Sequence, residues 1–332
     1  MDVVRIIGFW ACIQAWKTVI RTPLQYDHKV LYLHPHSYFV AGGLRRATRG
    51  ISPVLATIIL LAVFVTVIVV ALGFAETELS AYSARSDLSI AKSFAMDASA
   101  AITQIGFSDG ASQSLGYGFR SAALAYIPSL VVYNFTFTYS GSVTCPKQFT
   151  PLKQGVCELI VDEGGVVVSI PAHYFSLGSG YCEIIYPRRN LCTTNFSTIS
   201  EEDTSLSLAY VYQQGGLFIY VAIIPFPSAE NATTYPPTLT QTQTIYNLYI
   251  PLFTSNSSNI ASQKVISYPP TGDVSIQGLS QTTTTLENIK SISISATFRQ
   301  PYFPSPVQVA TLSCPQANCG VNLFNGTVLV GG

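Results

Sequence analysis

The pattern of apolar and polar positions divides the 332-residue chain into a long helical part and a strand-rich part. Residues 50 to 75 carry no charge, and the only interruptions of the apolar run Val54–Ala75 are Thr57, Thr66 and Gly73. With a rise of about 1.5 Å per residue, this run forms a helix of about 33 Å, which is long enough to cross a bilayer. We call Val54–Ala75 the apolar segment.

Beyond Glu76 the helical pattern continues with a different character. Apolar residues recur in steps of three and four, which is the spacing of one helix face, at Leu88, Ala91, Ala95, Ala98, Ile102 and Ile105. The charged residues Arg85, Asp87, Lys92 and Asp97 are expected opposite this stripe. Pro53 is tolerated in the first helical turn and Gly106 is a typical stop. The pattern therefore predicts one helix from about Pro53 to Ile105, whose second half packs its alanine-rich stripe on the following domain.

The remainder, residues 106–332, has the pattern of an all-β domain. Its runs are rich in Val, Ile, Tyr and Phe, many alternate with polar residues, and Gly, Pro, Asn and Thr clusters separate them. The predicted strands are Ser129–Tyr139, Gly165–Ile170, Ser205–Tyr212, Leu217–Ile224, Thr244–Phe253, Val265–Tyr268, Ser291–Phe298, Val307–Leu312 and Val321–Val330. The predicted fold class is α+β, with a β-sandwich of short strands, Ig-like, after the helix. A Pro/Ser/Thr-rich boundary near 226–244 leaves two small sandwiches as an alternative.

Charge around the apolar segment predicts its orientation in a membrane. Arg45, Arg46 and Arg49 precede it, and no basic residue follows it until Arg85. Because basic residues next to a membrane span stay in the cytoplasm, everything after Ala75 is expected outside the cell. A secretory signal peptide has a shorter apolar core that is followed by its cleavage site, so this segment does not match one.

The sequence Arg-Arg-Ala-Thr-Arg-Gly-Ile-Ser-Pro-Val-Leu-Ala-Thr-Ile-Ile-Leu-Leu-Ala-Val, from Arg45 to Val63, resembles the N-terminus of archaeal type IV pilins, which carry a class III signal peptide. The resemblance covers about residues 45 to 75. It implies that a prepilin peptidase recognises Arg49, Gly50 and Ile51 and cuts between the last two. The apolar helix then survives, leaves the membrane through the pilus assembly machinery and forms the core of a filament of identical subunits.

Two features depart from the family pattern. Bacterial type IV pilins usually carry a glutamate at the fifth mature position, where this chain has Leu55, and archaeal relatives commonly lack that glutamate. The leader, residues 1–50, is also longer than the family's short leaders. Initiation at Val40 would give a leader of the expected length, so residues before about 40 are expected to precede the true translation start.

Composition excludes one class of partner. Charged residues make up only 10% of the chain, against about 25% in ordinary soluble domains. After residue 50 the chain holds ten basic residues against fifteen acidic ones. This mildly acidic, Thr- and Tyr-rich exterior does not fit nucleic-acid binding, which needs a basic face.

Six of the seven cysteines lie in the predicted exterior, in three local pairs: Cys145 with Cys157, Cys182 with Cys192, and Cys314 with Cys319. An even number in an exported domain favours disulfides, and local pairing is the simplest of the fifteen connectivities. Free buried thiols are the alternative. Zinc binding fits poorly, because no Cys-x-x-Cys spacing occurs.

Five Asn-x-Ser/Thr sequons also lie in the predicted exterior and indicate a glycosylated surface protein. They begin at Asn134, Asn195, Asn231, Asn256 and Asn325.

Motifs for catalysis are weak. Gly106–Gly110 matches Gly-x-Ser-x-Gly, but a helix precedes it and His173 is the only exterior histidine, so a helix-ending turn is expected. The carboxylates of 162–163 and 201–203 lack the spacing of a calcium loop and are expected in solvated turns. No phosphate-loop or dinucleotide motif occurs. We therefore expect no catalytic residue, cofactor or metal site, and no enzymatic activity.

The functional expectation is a structural filament subunit that serves adhesion or cell–cell contact. The alternative is a membrane-anchored extracellular binding domain, for example in a solute-capture system, because some such proteins share this kind of leader. The 37 Tyr and Phe residues fit either an adhesive surface or ordinary sheet packing.

Overall fold

The structure is a computed structural model that describes residues 53–173, 175–187, 205–232, 245–255, 265–302, 307–314 and 319–331. The chain divides into two compact units, Met1–Leu60 and Leu61–Gly332. The first unit is described only from Pro53, where it is α-helical. The second unit contains the rest of that helix and all described strands.

One helix and thirteen strands follow one another in the described residues. They are α1 Pro53–Ile105, β1 Ser112–Gly118, β2 Ala123–Tyr139, β3 Thr150–Lys153, β4 Val156–Pro171, β5 Tyr181–Tyr186, β6 Ser207–Gln213, β7 Phe218–Pro225, β8 Ser228–Asn231, β9 Ile245–Ser255, β10 Ile266–Ser267, β11 Thr271–Phe298, β12 Val307–Ser313 and β13 Cys319–Gly331. The predicted fold class, a long N-terminal helix followed by a β-sandwich-like region, is confirmed.

The helix α1 begins and ends where the sequence predicts. Its last turn closes at Gly106, whose N–H donates to the Ile102 carbonyl at 2.8 Å. A Cβ at Gly106 would lie only 2.7 Å from that carbonyl oxygen, so glycine is needed there. The predicted apolar stripe is buried against the strands, from Leu88 to Ile105.

The strands form one hydrogen-bonded path in the order β5-β6-β7-β4-β2-β11-β13-β9-β8. The long strand β11 connects two layers of this path. Its C-terminal part, residues 289–298, pairs with β2, whereas residues 275–289 pair with β13. The first layer therefore contains β5, β6, β7, β4 and β2, and the second contains β1, β13, β9 and β8.

Two hydrophobic cores hold this arrangement together. One lies between the layers and contains Tyr133, Phe135 and Phe137 of β2 together with Leu323 of β13. The other lies beneath α1. All seven residues of strand β6 are buried, because it lies between the two cores and its side chains point alternately into one and the other.

The longest strands are bulged and contribute to both cores. The β2–β4 register shifts between Ile127 and Val131, and Ser129 in that bulge has a φ of 54°. Leu124 of β2 faces the helix core, whereas Ile127 and Phe135 face the core between the layers, because successive side chains of a strand alternate between its two faces. The prediction of short strands is wrong for β2, β4 and β11, because these bulged strands serve both cores and run for 17, 16 and 28 residues.

Candidate assembly and anchoring helix

The apolar segment, in the N-terminal half of α1, is exposed. Every residue from Pro53 to Leu79 is exposed, including Leu60 at 70% and Phe74 at 62%. This part of α1 is long and apolar enough to cross a membrane. Water does not cover such a surface favourably, so lipid or other protein must cover it.

The two threonines of the apolar segment do not expose free hydroxyl donors. Thr57 Oγ1 donates to the Val54 carbonyl and Thr66 Oγ1 to the Ala62 carbonyl, both at 2.8 Å. A polar group that is satisfied within its own helix costs little in lipid or in a dry protein interface. The segment is therefore compatible with both environments along its whole length.

The C-terminal half of α1 docks on the strands through small residues. Ala91 and Ala95 are completely buried, which allows a close approach of the helix to the sheet. Phe94 packs edge-to-face on Tyr117 of β1, with ring centroids 5.7 Å apart. An ion pair adds to this docking, since Lys92 Nζ lies 2.6 Å from Glu183 Oε2 on β5.

Asp87 is the main polar anchor of this docking, and it lies at the N-terminal end of the buried stripe. It is fully buried, so the expectation that it lies on the polar face is wrong. The loop between β1 and β2 surrounds its carboxylate with four donors. These are the N–H groups of Arg120, Ser121 and Ala122, at 2.7 to 3.0 Å, and the Ser121 hydroxyl at 2.7 Å.

Burial of Asp87 alone would raise its pKa, but these four hydrogen bonds favour the charged form and hold the pKa below its usual value. A carboxyl whose folded pKa is lowered stabilises the fold above its unfolded pKa. That contribution is lost as the pH falls through the folded pKa. Asp87 therefore holds the helix on the loop most strongly at neutral pH.

Replacing Asp87 by asparagine is expected to destabilise the docked helix by about 2 kcal/mol at pH 7, because charge-assisted hydrogen bonds become neutral ones. Thermal unfolding of the detergent-solubilised chain at pH 7 and pH 3 measures this. The difference from the unchanged chain should shrink at pH 3, which lies below the unfolded pKa of the carboxyl, because the contribution decreases as the pH falls toward the lowered folded pKa. Asp97→Asn is the matched control, because Asp97 is exposed on the same helix. An equal loss in both variants would contradict the anchoring role.

Two of the predicted local cysteine pairs are disulfides in the structure. Cys145 is bonded to Cys157, which is completely buried in the core between the layers. Cys314 is bonded to Cys319. Cys182 is also disulfide-bonded, and Cys192, its predicted partner, lies outside the described residues. Disulfides of this kind are typical of extracellular proteins.

The Cys314–Cys319 bridge has a clear structural place. β12 pairs with β11 up to Ser313, opposite Ser291, and β13 resumes pairing with β11 at Cys319, opposite Ile289. The two strands thus run along the same edge of β11 as one interrupted strand. The disulfide closes the interruption and fixes the register of both strands on β11.

The described sequon asparagines differ in access. Asn231 is exposed at the end of β8. Asn134 and Asn325 are half-buried in strands that are paired on both sides, and the Asn134 amide donates to Glu158. Asn195 and Asn256 lie outside the described residues. Glycosylation stays a prediction, and Asn231 offers the most accessible of the three described side chains.

The remaining residues singled out in the sequence fall partly inside and partly outside the described part of the chain. The processing residues Arg49, Gly50 and Ile51, the carboxylates of 201–203 and most of the 226–244 boundary lie outside the described residues. The Gly-x-Ser-x-Gly motif forms the expected turn after α1, and His173 is exposed.

The solvated turn expected at 162–164 is wrong, because these residues lie within β4 and Glu163 is only 3% exposed. Sequence reasoning missed this residue, since the neighbouring Asp162 and Gly164 suggested a polar turn. Glu163 Oε2 accepts a hydrogen bond from the Phe253 N–H of β9 at 2.8 Å. Tyr126 donates its hydroxyl to the Phe253 carbonyl at 3.0 Å. Side chains of β4 and β2 thus bind the backbone of β9 in the other layer.

Comparisons of the chain with protein-family models, with curated proteins and with solved structures find no match.

Proposed function

We propose that this protein is the structural subunit of an archaeal type IV pilus-like filament that serves adhesion or cell–cell contact. The observation that carries the proposal is the division of α1 into two halves. The second half is docked on the strands, whereas the apolar segment in the first half is exposed, uncharged and apolar on all sides. A helix that is apolar all round requires either lipid or other helices as neighbours.

Moving the apolar segment from the bilayer into a filament has a small free-energy cost. An apolar helix in a bilayer already contacts hydrocarbon, so it exchanges lipid neighbours for helix neighbours without a large hydrophobic cost. The prepilin peptidase, the assembly machinery and the membrane are the partners before assembly, and identical subunits are the partners afterwards. In the filament the β region coats a core made of the apolar segments.

Processing tests the proposal. Surface filaments sheared from cells are expected to contain the chain, with Ile51 as its N-terminal residue. Edman sequencing or terminal-peptide mass spectrometry of the sheared material measures this. Gly50→Phe is expected to leave an uncut precursor in the membrane, whereas Thr48→Phe, two residues earlier, serves as a control of the same size.

Two results would count against the filament. A mature chain that begins after Ala75 would mean that the apolar segment is removed as an ordinary signal sequence. A chain that begins at Ile51 but stays with the membrane, with none in the sheared filaments, would favour the membrane-anchored binding domain.

A further inference from the structure

Strand β1 is an edge strand with one free side. It pairs with β11, and no other described strand pairs with it. Ser112, Ser114 and Gly116 are exposed, so the free side of β1 is open to solvent. A sheet edge of this kind presents backbone N–H and C=O groups to a further strand.

The hydrogen bonds at the two ends of β1 show which backbone groups point to the free side. The Ala111 carbonyl accepts from the Gly278 N–H at 2.9 Å, and the Phe119 N–H donates to the Pro270 carbonyl at 2.8 Å. The register of β1 on β11 is continuous between these ends. Because the backbone groups of successive residues point to alternate sides of an antiparallel strand, the even-numbered residues of Ser112–Gly118 direct theirs away from β11.

This edge lacks the features that keep sheet edges from pairing further. Proline, lysine and other charged residues have that effect, and β1 contains none of them, since its sequence is Ser-Gln-Ser-Leu-Gly-Tyr-Gly. Other edge strands do contain them, with Pro151 and Lys153 in β3 and Glu230 in β8. The contrast indicates that the free side of β1 is used for pairing.

The helix α1 and the edge of β1 together form a groove of about 350 Å³. Ser114–Gly116 line it on the strand side, and Ser89, Ser93 and Asp97 line it on the helix side. These three helix residues follow one another at steps of four, which places them on one side of α1. Because the two serines are small, they leave room for side chains of an added strand. Such a strand would pair with β1 through its backbone and place every second side chain against α1.

Two exposed carboxylates flank the groove, one on each face of the sheet. Asp97 belongs to α1, which packs on the face to which Tyr117 points. Asp273 of β11 is paired with Gly116, so it lies on the opposite face. Neither carboxylate belongs to the ion pair between α1 and β5. None of the described residues that line the groove is basic. A strand added here would therefore meet uncompensated negative charge on both of its faces.

We propose that the free side of β1 binds an extended segment of another protein that carries lysine or arginine. The segment adds a strand to the sheet beside α1, and its basic side chains meet Asp97 on one face or Asp273 on the other. The inference rests on the proposed adhesive function and names the ligand as an extended basic peptide. Binding of that peptide does not depend on filament assembly.

A second copy of this chain fits the edge less well. Symmetric pairing of two β1 strands would bring the same carboxylates toward each other, and like charges across paired strands are destabilising. The chain after residue 50 also holds fifteen acidic residues against ten basic ones, so its surface does not complement an acidic groove.

Peptide binding tests the proposal. Fluorescence anisotropy is measured with the full processed chain in detergent and with labelled seven-residue peptides of alternating threonine and valine, each with lysine at one position. The best lysine peptide is expected to bind roughly fivefold or more tightly than the same peptide with glutamate at that position. Methylation of every second backbone nitrogen removes the N–H groups on one side of the peptide strand. One of the two possible methylated sets should lose binding and the other should keep it, because only one side pairs with β1.

Variants of the chain test the same edge. Ser114→Pro is expected to weaken binding of the best peptide roughly tenfold or more, because it removes an outward N–H and keeps the hydrogen bonds to β11. Asp97→Asn and Asp273→Asn are each expected to weaken binding about threefold. Glu287→Gln, which changes an exposed carboxyl farther along β11, is the control. Thermal midpoints of all variants distinguish loss of the fold from loss of the site, and the filament yield of Ser114→Pro should be normal.

Several results would overturn the proposal. They are a lack of binding by every lysine peptide, equal binding of the lysine and glutamate peptides, and equal losses from the two methylated sets. If no peptide binds and Ser114→Pro abolishes filaments without unfolding the chain, the edge of β1 pairs with a second copy instead.

Discussion

Filaments are expected to disappear when Ile68 is replaced by aspartate, while the chain still reaches the cell surface. Ile68 lies near the middle of the apolar segment and is 45% exposed in the single chain. In a filament this surface would be covered by other copies. An unpaired carboxylate would then lie in a dry helix bundle in every subunit, at a cost of several kcal/mol each.

Export and assembly respond differently to this aspartate. One charge at the centre of a membrane helix costs only about 3 kcal/mol during insertion, and local thinning of the bilayer reduces its effect. In the filament, by contrast, every subunit would bury an unpaired carboxylate away from water, so the cost recurs in each subunit. Electron microscopy of cells, together with immunoblots of sheared and membrane fractions, separates the two effects.

Ser80→Asp is the matched control for Ile68→Asp. Ser80 lies in the same helix, twelve residues later and beyond the apolar segment, where the side chains become polar. This variant should form filaments in normal amounts. Normal filaments from Ile68→Asp would show that the apolar segment is only a membrane anchor, and the anchored binding domain would become the better function.

The helix could be predicted closely because its signals are local. An uncharged apolar run, a three-and-four stripe and a glycine stop specify Pro53–Ile105 without knowledge of any partner. The central strands could be predicted for the same reason, since runs such as Ser291–Phe298 alternate visibly. Both cores are built from these residues, so the fold class followed from the pattern.

The missed strands lack a local signal. β1, with the sequence Ser-Gln-Ser-Leu-Gly-Tyr-Gly, is polar and glycine-rich, and it becomes a strand through its pairing with β11. The first half of β11 contains the run Thr282–Thr285, which has little to bury and pairs with β13 through its backbone. Pairing with distant strands decides such segments, and a single sequence does not display that pairing.

The missed site residues share a related cause. Asp87 and Glu163 are charged types next to polar neighbours, so their sequence context predicts exposure. Their burial depends on donors that lie far away in sequence, the loop at 120–122 for Asp87 and Phe253 for Glu163.

Replacing Glu163 by glutamine is expected to stabilise the fold above neutral pH and to leave it nearly unchanged at pH 5. The pKa of Glu163 is raised to about 8, mainly by burial, with the nearby Asp162 adding to the rise and the Phe253 N–H hydrogen bond opposing it. Between about pH 4.5 and 8 the unfolded chain is ionised at Glu163 while the folded chain keeps its proton. Stability from this group is therefore full below pH 4.5 and is lost as the pH rises toward 8.

The size of this effect follows from about 1.4 kcal/mol per pH unit, which gives on the order of 5 kcal/mol over the window. Glutamine does not ionise and still offers an amide oxygen to the Phe253 N–H. Thermal midpoints of the detergent-solubilised chain from pH 5 to pH 9 should diverge from those of the variant by roughly 10 °C at pH 8 to 9.

Glu287→Gln is the matched control, because Glu287 is an exposed carboxyl on β11 and should leave the pH dependence as it is. The lowered pKa values of Asp87 and Glu183 place their contributions at the acidic end, outside this window. If the Glu163→Gln variant loses stability between pH 5 and 8 as steeply as the unchanged chain, the loss must come from another titrating group. If the thermal midpoints of the unchanged chain and of both variants do not change with pH, Glu163 is ionised in the folded chain. Its hydrogen bond with the Phe253 N–H would then be a charge-assisted link between the two layers.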